Sequence, residues 1–202
     1  MGEGAFSASG SSTSGRTRLP ELPPDSFEEV LSAFEGLRTY RDLAAATREL
    51  AERTDFTVLG LLRRDLWRQA RYIHPKRYRD SILRTLQRSI VERLRRAREL
   101  RPEDLPDEPV EGYDEFLRVV REYAEDPDYD SPLLLLYEGL LAAYAVFIEE
   151  EPVHPPGTTF PGLGSVREED GTYYCPLKRL REDQPGSFCS ICPAEQDPEV
   201  ES

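Results

Sequence analysis

The feature that most restricts the fold of this 202-residue chain is an apolar run of sixteen residues, Leu133 to Ile148, which carries one charge, at Glu138. A helix that crosses a bilayer needs about 20 apolar residues, so this shorter run predicts a buried helix of a protein core. Ser131 and Pro132 are typical of a helix start, as hydroxyl N-cap and first helical residue. Because apolar residues occur on all sides of such a helix, other elements have to cover it from several directions. We therefore expect a central core helix.

The residues around this run have helical periodicity, which predicts a mainly α fold, a multi-helix bundle around the central apolar helix over residues 25–151. Ser26 with Glu29, and Thr39 with Asp42, have the spacing of N-terminal caps and predict two helix starts. Further helices are predicted over residues 57–73, 79–100 and 113–126. A proline-rich and acidic surface connection is expected over residues 101–112.

The two ends of the chain have compositions that predict disorder. Residues 1–24 are rich in Gly and Ser, and we interpret them as a disordered leader. They lack the charged region, apolar region and cleavage site of a secretory signal, so we expect a cytoplasmic protein with no membrane segment. Residues 195–202 predict an acidic tail.

The segment from residue 152 to 194 differs from the helical part. Residues 152–164 contain too many Pro and Gly for regular structure. Residues 165–168 and 172–175 have extended character and flank Asp170-Gly171, a favoured turn sequence, which predicts a short β-hairpin. We expect a small irregular subdomain with a Cys cluster, packed on the helices.

All three cysteines of the chain lie in this segment. Cys189 and Cys192 have the C-x2-C spacing that can point two thiolates at one ion, and Cys175 ends the predicted hairpin. Tetrahedral zinc takes four ligands, and His154 is one of only two histidines in the chain. The predicted metal site is therefore Cys175, Cys189, Cys192 and His154.

Zinc is the favoured ion, because a segment of about fifty residues with few large aliphatic side chains needs metal ligation to hold its fold. An iron-sulfur cluster is the alternative cofactor, although three cysteines are one short of the usual four. A local disulfide or a redox pair between Cys189 and Cys192 also stays open. For His154, the alternative is an imidazole bonded to loop backbone.

Charge is segregated along the chain, whose net charge is −13. Residues 63–101 contain thirteen Arg and one Lys against four acidic residues, and residues 102–130 contain twelve acidic residues against two Arg. One interpretation is a nucleic-acid surface, with Arg84, Arg88 and Arg95 contacting phosphates and Trp67 and Tyr72 available to stack. The other is that the two stretches neutralise each other. Their equal and opposite charges favour the second interpretation.

Motifs for catalysis are absent from the sequence, including glycine-rich nucleotide loops and the G-x-S-x-G motif. The composition and the Cys/His pattern favour a binding or accessory protein with an unknown protein partner. RNA binding through residues 63–101 is one alternative. A metal-dependent or iron-sulfur redox enzyme is the other.

Part of the C-terminal region resembles a known family. The motifs are spread over residues 154–197 and cover about a fifth of the chain: His154-Pro155 with Gly157, Phe160-Pro161, Tyr174-Cys175-Pro176, Cys189, Cys192 and Gln196-Asp197. This pattern resembles an archaeal family found mainly in methanogens, domain of unknown function 2115, also named uncharacterised protein family 0305. The resemblance implies an archaeal source and no assigned activity, and it includes His154 with the three cysteines.

Overall fold

The positions of the helices agree with the capping residues and the apolar periodicity of the sequence. The structure, a computed structural model, describes residues 19–200. It is mainly helical with a small C-terminal β region. The helices are α1 Phe27–Gly36, α2 Tyr40–Arg53, α3 Phe56–Gln69, α4 Lys76–Ala97, α5 Tyr113–Glu125, α6 Pro132–Phe147 and α7 Lys178–Arg181, with 3₁₀ turns at Ala70–Tyr72 and Pro102–Asp104.

The predicted helix starts are confirmed by their hydrogen bonds. The Ser26 hydroxyl accepts from the N–H of Glu29 at 3.2 Å, and the Thr39 hydroxyl accepts from the N–H of Asp42 at 3.1 Å. The hydroxyl of Ser131 caps α6. These bonds satisfy amides that have no partner inside the first helical turn.

Helices α3 and α4 differ from their predicted bounds. The predicted helix 57–73 is α-helical only to Gln69 and continues as the 3₁₀ turn. Helix α4 begins at Lys76, three residues before the expected start, because Pro75 fits the N-cap position and does not block the helix that follows it. It ends at Ala97, three residues before the expected end.

Helix α6 is enclosed by the other helices. Thirteen of its sixteen residues are buried, and it packs against α1, α2, α3, α4 and α5. Gly139 lets α1 approach closely, since a Cβ atom at this position would lie 2.8 Å from Cζ of Phe34. None of the helices in the described range is long and apolar enough to cross a membrane.

The C-terminal region contains two small sheets with five strands in the described part: β1 Thr159–Phe160, β2 Gly164–Ser165, β3 Arg167–Glu169, β4 Thr172–Cys175 and β5 Glu195–Gln196. The predicted hairpin is confirmed as β3–β4, and Asp170 and Gly171 both have the positive φ of a tight hairpin turn. The prediction of no regular structure over residues 152–164 was wrong, because β1 and β2 pair as a short antiparallel hairpin.

Both predicted ends of the chain are corrected where the structure describes them. Most of the predicted leader, residues 1–18, lies outside the described residues. Leu19 is buried, and Arg53 donates a hydrogen bond to the carbonyl of Pro20 at 2.6 Å, so the helical part includes residues before 25. The predicted tail begins inside a sheet, since β5 pairs in parallel with β4 and Asp197 forms an ion pair with Arg167 at 3.0 Å.

Candidate metal centre

A cavity of about 410 Å³ lies between the helices and the C-terminal region. Its walls come from α4, α5 and α6 on one side and from segments within residues 152–192 on the other. All four predicted metal ligands line it, although they come from three separate parts of the sequence: His154, Cys175, Cys189 and Cys192. The volume is in the range of small-ligand sites in proteins.

The C-x2-C turn is held by a lysine that the sequence analysis did not assign to the site. The N–H of Cys192 donates to the carbonyl oxygen of Cys189 at 3.4 Å. Nζ of Lys178, the first residue of α7, donates to the carbonyl oxygens of Cys189 at 2.5 Å and Cys192 at 2.8 Å. Both partners are neutral carbonyl groups, and within residues 19–200 Lys178 forms no salt bridge, so its positive charge lies beside the C-x2-C turn without an acidic partner there.

Cys175 is the last residue of β4, and it is buried. The backbone amides of Leu177 and Lys178 hydrogen-bond to its side chain, which favours the thiolate. Burial has the larger effect and raises the pKa of the Cys175 thiol to about 11. Burial also raises the pKa of Cys189, against the lowering effect of a hydrogen bond with Ser187. Without a positive ligand, burial therefore favours the neutral form of the Cys175 and Cys189 thiols.

His154 lines the cavity and is partly buried. Its ring packs edge-on against Phe160, with 5.4 Å between ring centroids. Among the described residues no side chain or backbone group hydrogen-bonds to its imidazole, so the alternative of a loop histidine bonded to backbone is not what the structure contains. Burial, with Arg93 as a smaller cause, lowers the pKa of His154 to about 4. The imidazole is thus neutral near pH 7, the form that binds metals.

Arg93 of α4 connects the helices to this segment. Its guanidinium is buried and donates to the carbonyl oxygens of Pro152 at 2.7 Å and Val153 at 3.0 Å, directly before His154. Desolvation lowers the pKa of Arg93, and the nearby carboxylates of Glu149 and Glu151 act in the opposite direction with smaller effect. Arg93 could have been found in the sequence, because it falls at helical spacing from the apolar Ile90 and Ala97.

Glu138 of α6 also lines the cavity. The hydroxyl of Tyr129 donates to its carboxyl group at 2.7 Å. Burial raises the pKa of Glu138 to about 7, so this carboxyl group is partly protonated near neutral pH. In the sequence, Glu138 can be recognised as the single charged residue inside the apolar run.

The four predicted ligands surround the cavity without converging on one point. Over residues 19–200, no three His, Cys, Asp or Glu side chains are gathered as one metal ion requires. The three cysteines are free thiols, so the arrangement does not contain a Cys189–Cys192 disulfide.

The predicted nucleic-acid residues lie elsewhere. Arg84, Arg88 and Arg95 are exposed on α4. Successive helical residues are rotated by about 100°, which places all three on the side of α4 opposite to Arg93 and the cavity.

Comparison with known proteins identifies relatives without an assigned activity. A family described as "Uncharacterized protein conserved in archaea (DUF2115)" matches residues 39–197. A UPF0305 protein of Methanopyrus kandleri is 66% identical over 142 residues, which are 70% of this chain and 100% of that protein. A UPF0305 protein of Methanocaldococcus jannaschii is 24% identical over 134 residues, 65% of this chain and 80% of that protein. No solved structure matches the chain.

Proposed function

The chain belongs to this archaeal family, whose description records no activity, and we propose that it is a zinc-binding accessory protein. The ligands are Cys175, Cys189, Cys192 and His154. The metal stabilises the C-terminal region, from residue 152 onward, on the helical part and so maintains a surface for a partner.

The observation that carries this proposal is that four donors from three separate parts of the sequence line one cavity. His154, Cys175 and the C-x2-C pair line the same space, and the imidazole has no hydrogen-bond partner among the described residues. A neutral imidazole and three sulfur donors form one of the ligand sets that zinc prefers. In the present arrangement the four side chains stay apart. We therefore expect metal binding to draw them inward.

The charges around the thiols also support this proposal. A divalent ion with three thiolates and a neutral imidazole has a net charge of about −1. Lys178 and Arg93 lie beside the cysteines, and their side chains donate to neutral carbonyl groups. Their positive charges offset the excess negative charge of the centre. A bound metal also removes the thiol protons that burial otherwise retains.

An iron-sulfur cluster is the second candidate. It is favoured by one observation: the thiols surround an open space of about 410 Å³ and are not gathered at a single point. A cluster is larger than one ion and is held by cysteine thiolates. In that case the protein has a redox function.

The test is elemental analysis and visible absorption of the full chain purified without oxygen. We expect one zinc per chain and no colour. Iron with sulfide and a brown colour would select the cluster. A protein that binds neither metal when refolded with each would contradict the proposed site.

Variants assign the ligands. Cys175→Ser and His154→Ala each remove one donor and are expected to weaken zinc affinity by about a hundredfold or more. His74→Ala is the matched control, since His74 is exposed on the surface. It should retain zinc as the unmodified chain does. Equal affinity in all of the proteins would exclude this ligand set.

A further inference from the structure

Four arginines form one straight row on α4. Arg77, Arg84, Arg88 and Arg95 are all exposed. Their spacing of seven, four and seven residues keeps them within about 20° of one line along the helix. At 1.5 Å per residue the row is about 27 Å long. We call these four residues the arginine row.

The arginine row is largely without ion pairs. Over the described residues Arg77, Arg84 and Arg88 form no salt bridge, and Arg95 reaches only Glu99, at 3.3 Å on the exposed surface. Other arginines of the same helix have protein partners: Arg93 donates to carbonyl groups and Arg96 pairs with Glu149 at 2.7 Å. Since acidic residues outnumber basic ones in this chain by 39 to 26, the lack of partners is a local feature.

The acidic stretch does not neutralise the arginine row. The sequence favoured mutual neutralisation of residues 63–101 and 102–130. Within the described structure the ion pair that joins these two stretches is Arg68 with Asp130, at 3.0 Å. The acidic residues pair with other helices, as Asp107 does with Arg41 at 3.1 Å. The acidic stretch therefore leaves the row's charge available to a partner, and the carboxylate that interacts with Arg84 is Asp80 of the same helix, which is also paired with Lys76.

The other groups near the row identify the partner's chemistry. Trp67 does not join it, because its ring lies 5.8 Å from the guanidinium of Arg79, on the opposite side of α4. Trp67 therefore offers no stacking surface beside the row, whereas Tyr72, the other residue of the sequence interpretation, is exposed before the start of α4 with the guanidinium of Arg71 over its ring. A membrane surface needs a broad apolar face, and only Val91 is an exposed large apolar residue along this helix.

We propose that the arginine row binds the phosphate backbone of double-stranded nucleic acid without reading its sequence. A straight row of guanidinium groups fits a stiff polyanion, and arginine pairs with phosphate in a bidentate way. The row covers less than one turn of a duplex, whose rise is 3.4 Å per base pair. The surface is distinct from the metal centre, so the two proposals stand or fall separately.

The test is fluorescence anisotropy of 20-base-pair DNA and RNA duplexes with the full chain, at several salt concentrations. Four phosphate contacts predict a slope near −3.6 for the logarithm of affinity against the logarithm of salt concentration. Affinity then falls roughly a hundredfold between 50 and 200 mM salt. The two duplexes distinguish DNA from RNA as the source of the phosphates.

Two triple variants that remove the same number of positive charges distinguish an effect of the arginine row from an effect of the overall charge. Arg77→Gln, Arg84→Gln and Arg88→Gln together should bring the slope to about −1. Arg38→Gln, Arg48→Gln and Arg121→Gln remove arginines outside α4 that form salt bridges, and they should leave the slope unchanged.

Circular dichroism of the helices checks that both triple variants are folded. An equal loss of affinity in the two variants would overturn the proposal. So would the absence of duplex binding at 50 mM salt, or binding only to single strands or to anionic vesicles.

Discussion

The helical part and the C-terminal region are held together by different interactions. The helical part has a continuous apolar core, to which α6 alone contributes eight buried residues. The apolar cluster of the C-terminal region has four buried members: Phe160, Val166, Cys175 and Ala194. Its strands are two to four residues long. Burial can account for the first region, whereas the second depends on polar groups and, in our proposal, on a metal.

Polar contacts at specific positions replace the missing apolar core. Arg93 holds the chain before His154, and Lys178 holds the C-x2-C turn. Arg167 makes a two-bond ion pair with Asp197 that connects β3 to the residue after β5. Removal of one such contact should affect the C-terminal region more than the helices.

Arg93→Ala gives the largest expected effect among single substitutions at these polar contacts. It removes two charge-assisted hydrogen bonds and leaves two carbonyl groups without partners, at a cost of about 2–4 kcal/mol in the free energy of unfolding. Arg88→Ala, on the exposed face of the same helix, is the control and should change it by less than about 0.5 kcal/mol. Urea unfolding measures both. Equal effects would show that Arg93 does not connect the regions.

The carboxyl group of Glu138 predicts that the stability of the protein depends on pH. Its pKa is about 7 in the folded protein, against an ordinary value of 4.5 for glutamate. The unfolded chain therefore loses this proton at lower pH than the folded chain, so the stability contributed by this group falls as the pH rises from about 4.5 to 7. The free energy of unfolding falls by about 2 kcal/mol. This is less than the full difference in pKa implies, because the carboxyl group lies beside a cavity.

Glu138→Gln should remove this pH dependence. Unfolding is compared at pH 5 and pH 8, and the variant should be more stable than the unmodified chain at pH 8 by about the same amount. Glu92→Gln, which changes an exposed carboxyl group of α4, is the control. Parallel pH profiles for Glu138→Gln and the unmodified chain would contradict the assignment.

Two glycines inside helices test the packing of the helical part. A Cβ at Gly139 meets the buried ring of Phe34, which itself packs against Phe116 with 5.5 Å between centroids. We expect Gly139→Ala to destabilise the protein by about 1–2 kcal/mol, because overpacking outweighs the gain in helix propensity. At Gly60 the added Cβ meets no atom within 4 Å. Gly60→Ala should stabilise by about 0.5–1 kcal/mol, and the same sign in both variants would contradict this packing.

The sequence predicts those features that depend on neighbours along the chain. The caps at Ser26 and Thr39 and the turn at Asp170-Gly171 are local, and the structure contains each of them. Strand β5 could not be predicted, since two residues of no strong preference become a strand only because β4 lies beside them.

In the candidate site, too, local features can be predicted from the sequence and features that depend on tertiary contacts cannot. The types of its donors and the C-x2-C spacing are visible in the sequence. The roles of Arg93 and Glu138 depend on how α4 and α6 meet the C-terminal region, and the role of Lys178 depends on where α7 lies within that region, which no local pattern contains.

Amide hydrogen exchange before and after metal removal tests the central claim most directly. The zinc-loaded full chain is compared with the same protein after treatment with a chelator. We predict that protection is lost over residues 152–197, including β4, and that α2, α5 and α6 retain theirs. Unchanged exchange over residues 152–197, or loss of protection along the whole chain together, would contradict a metal that stabilises the C-terminal region alone.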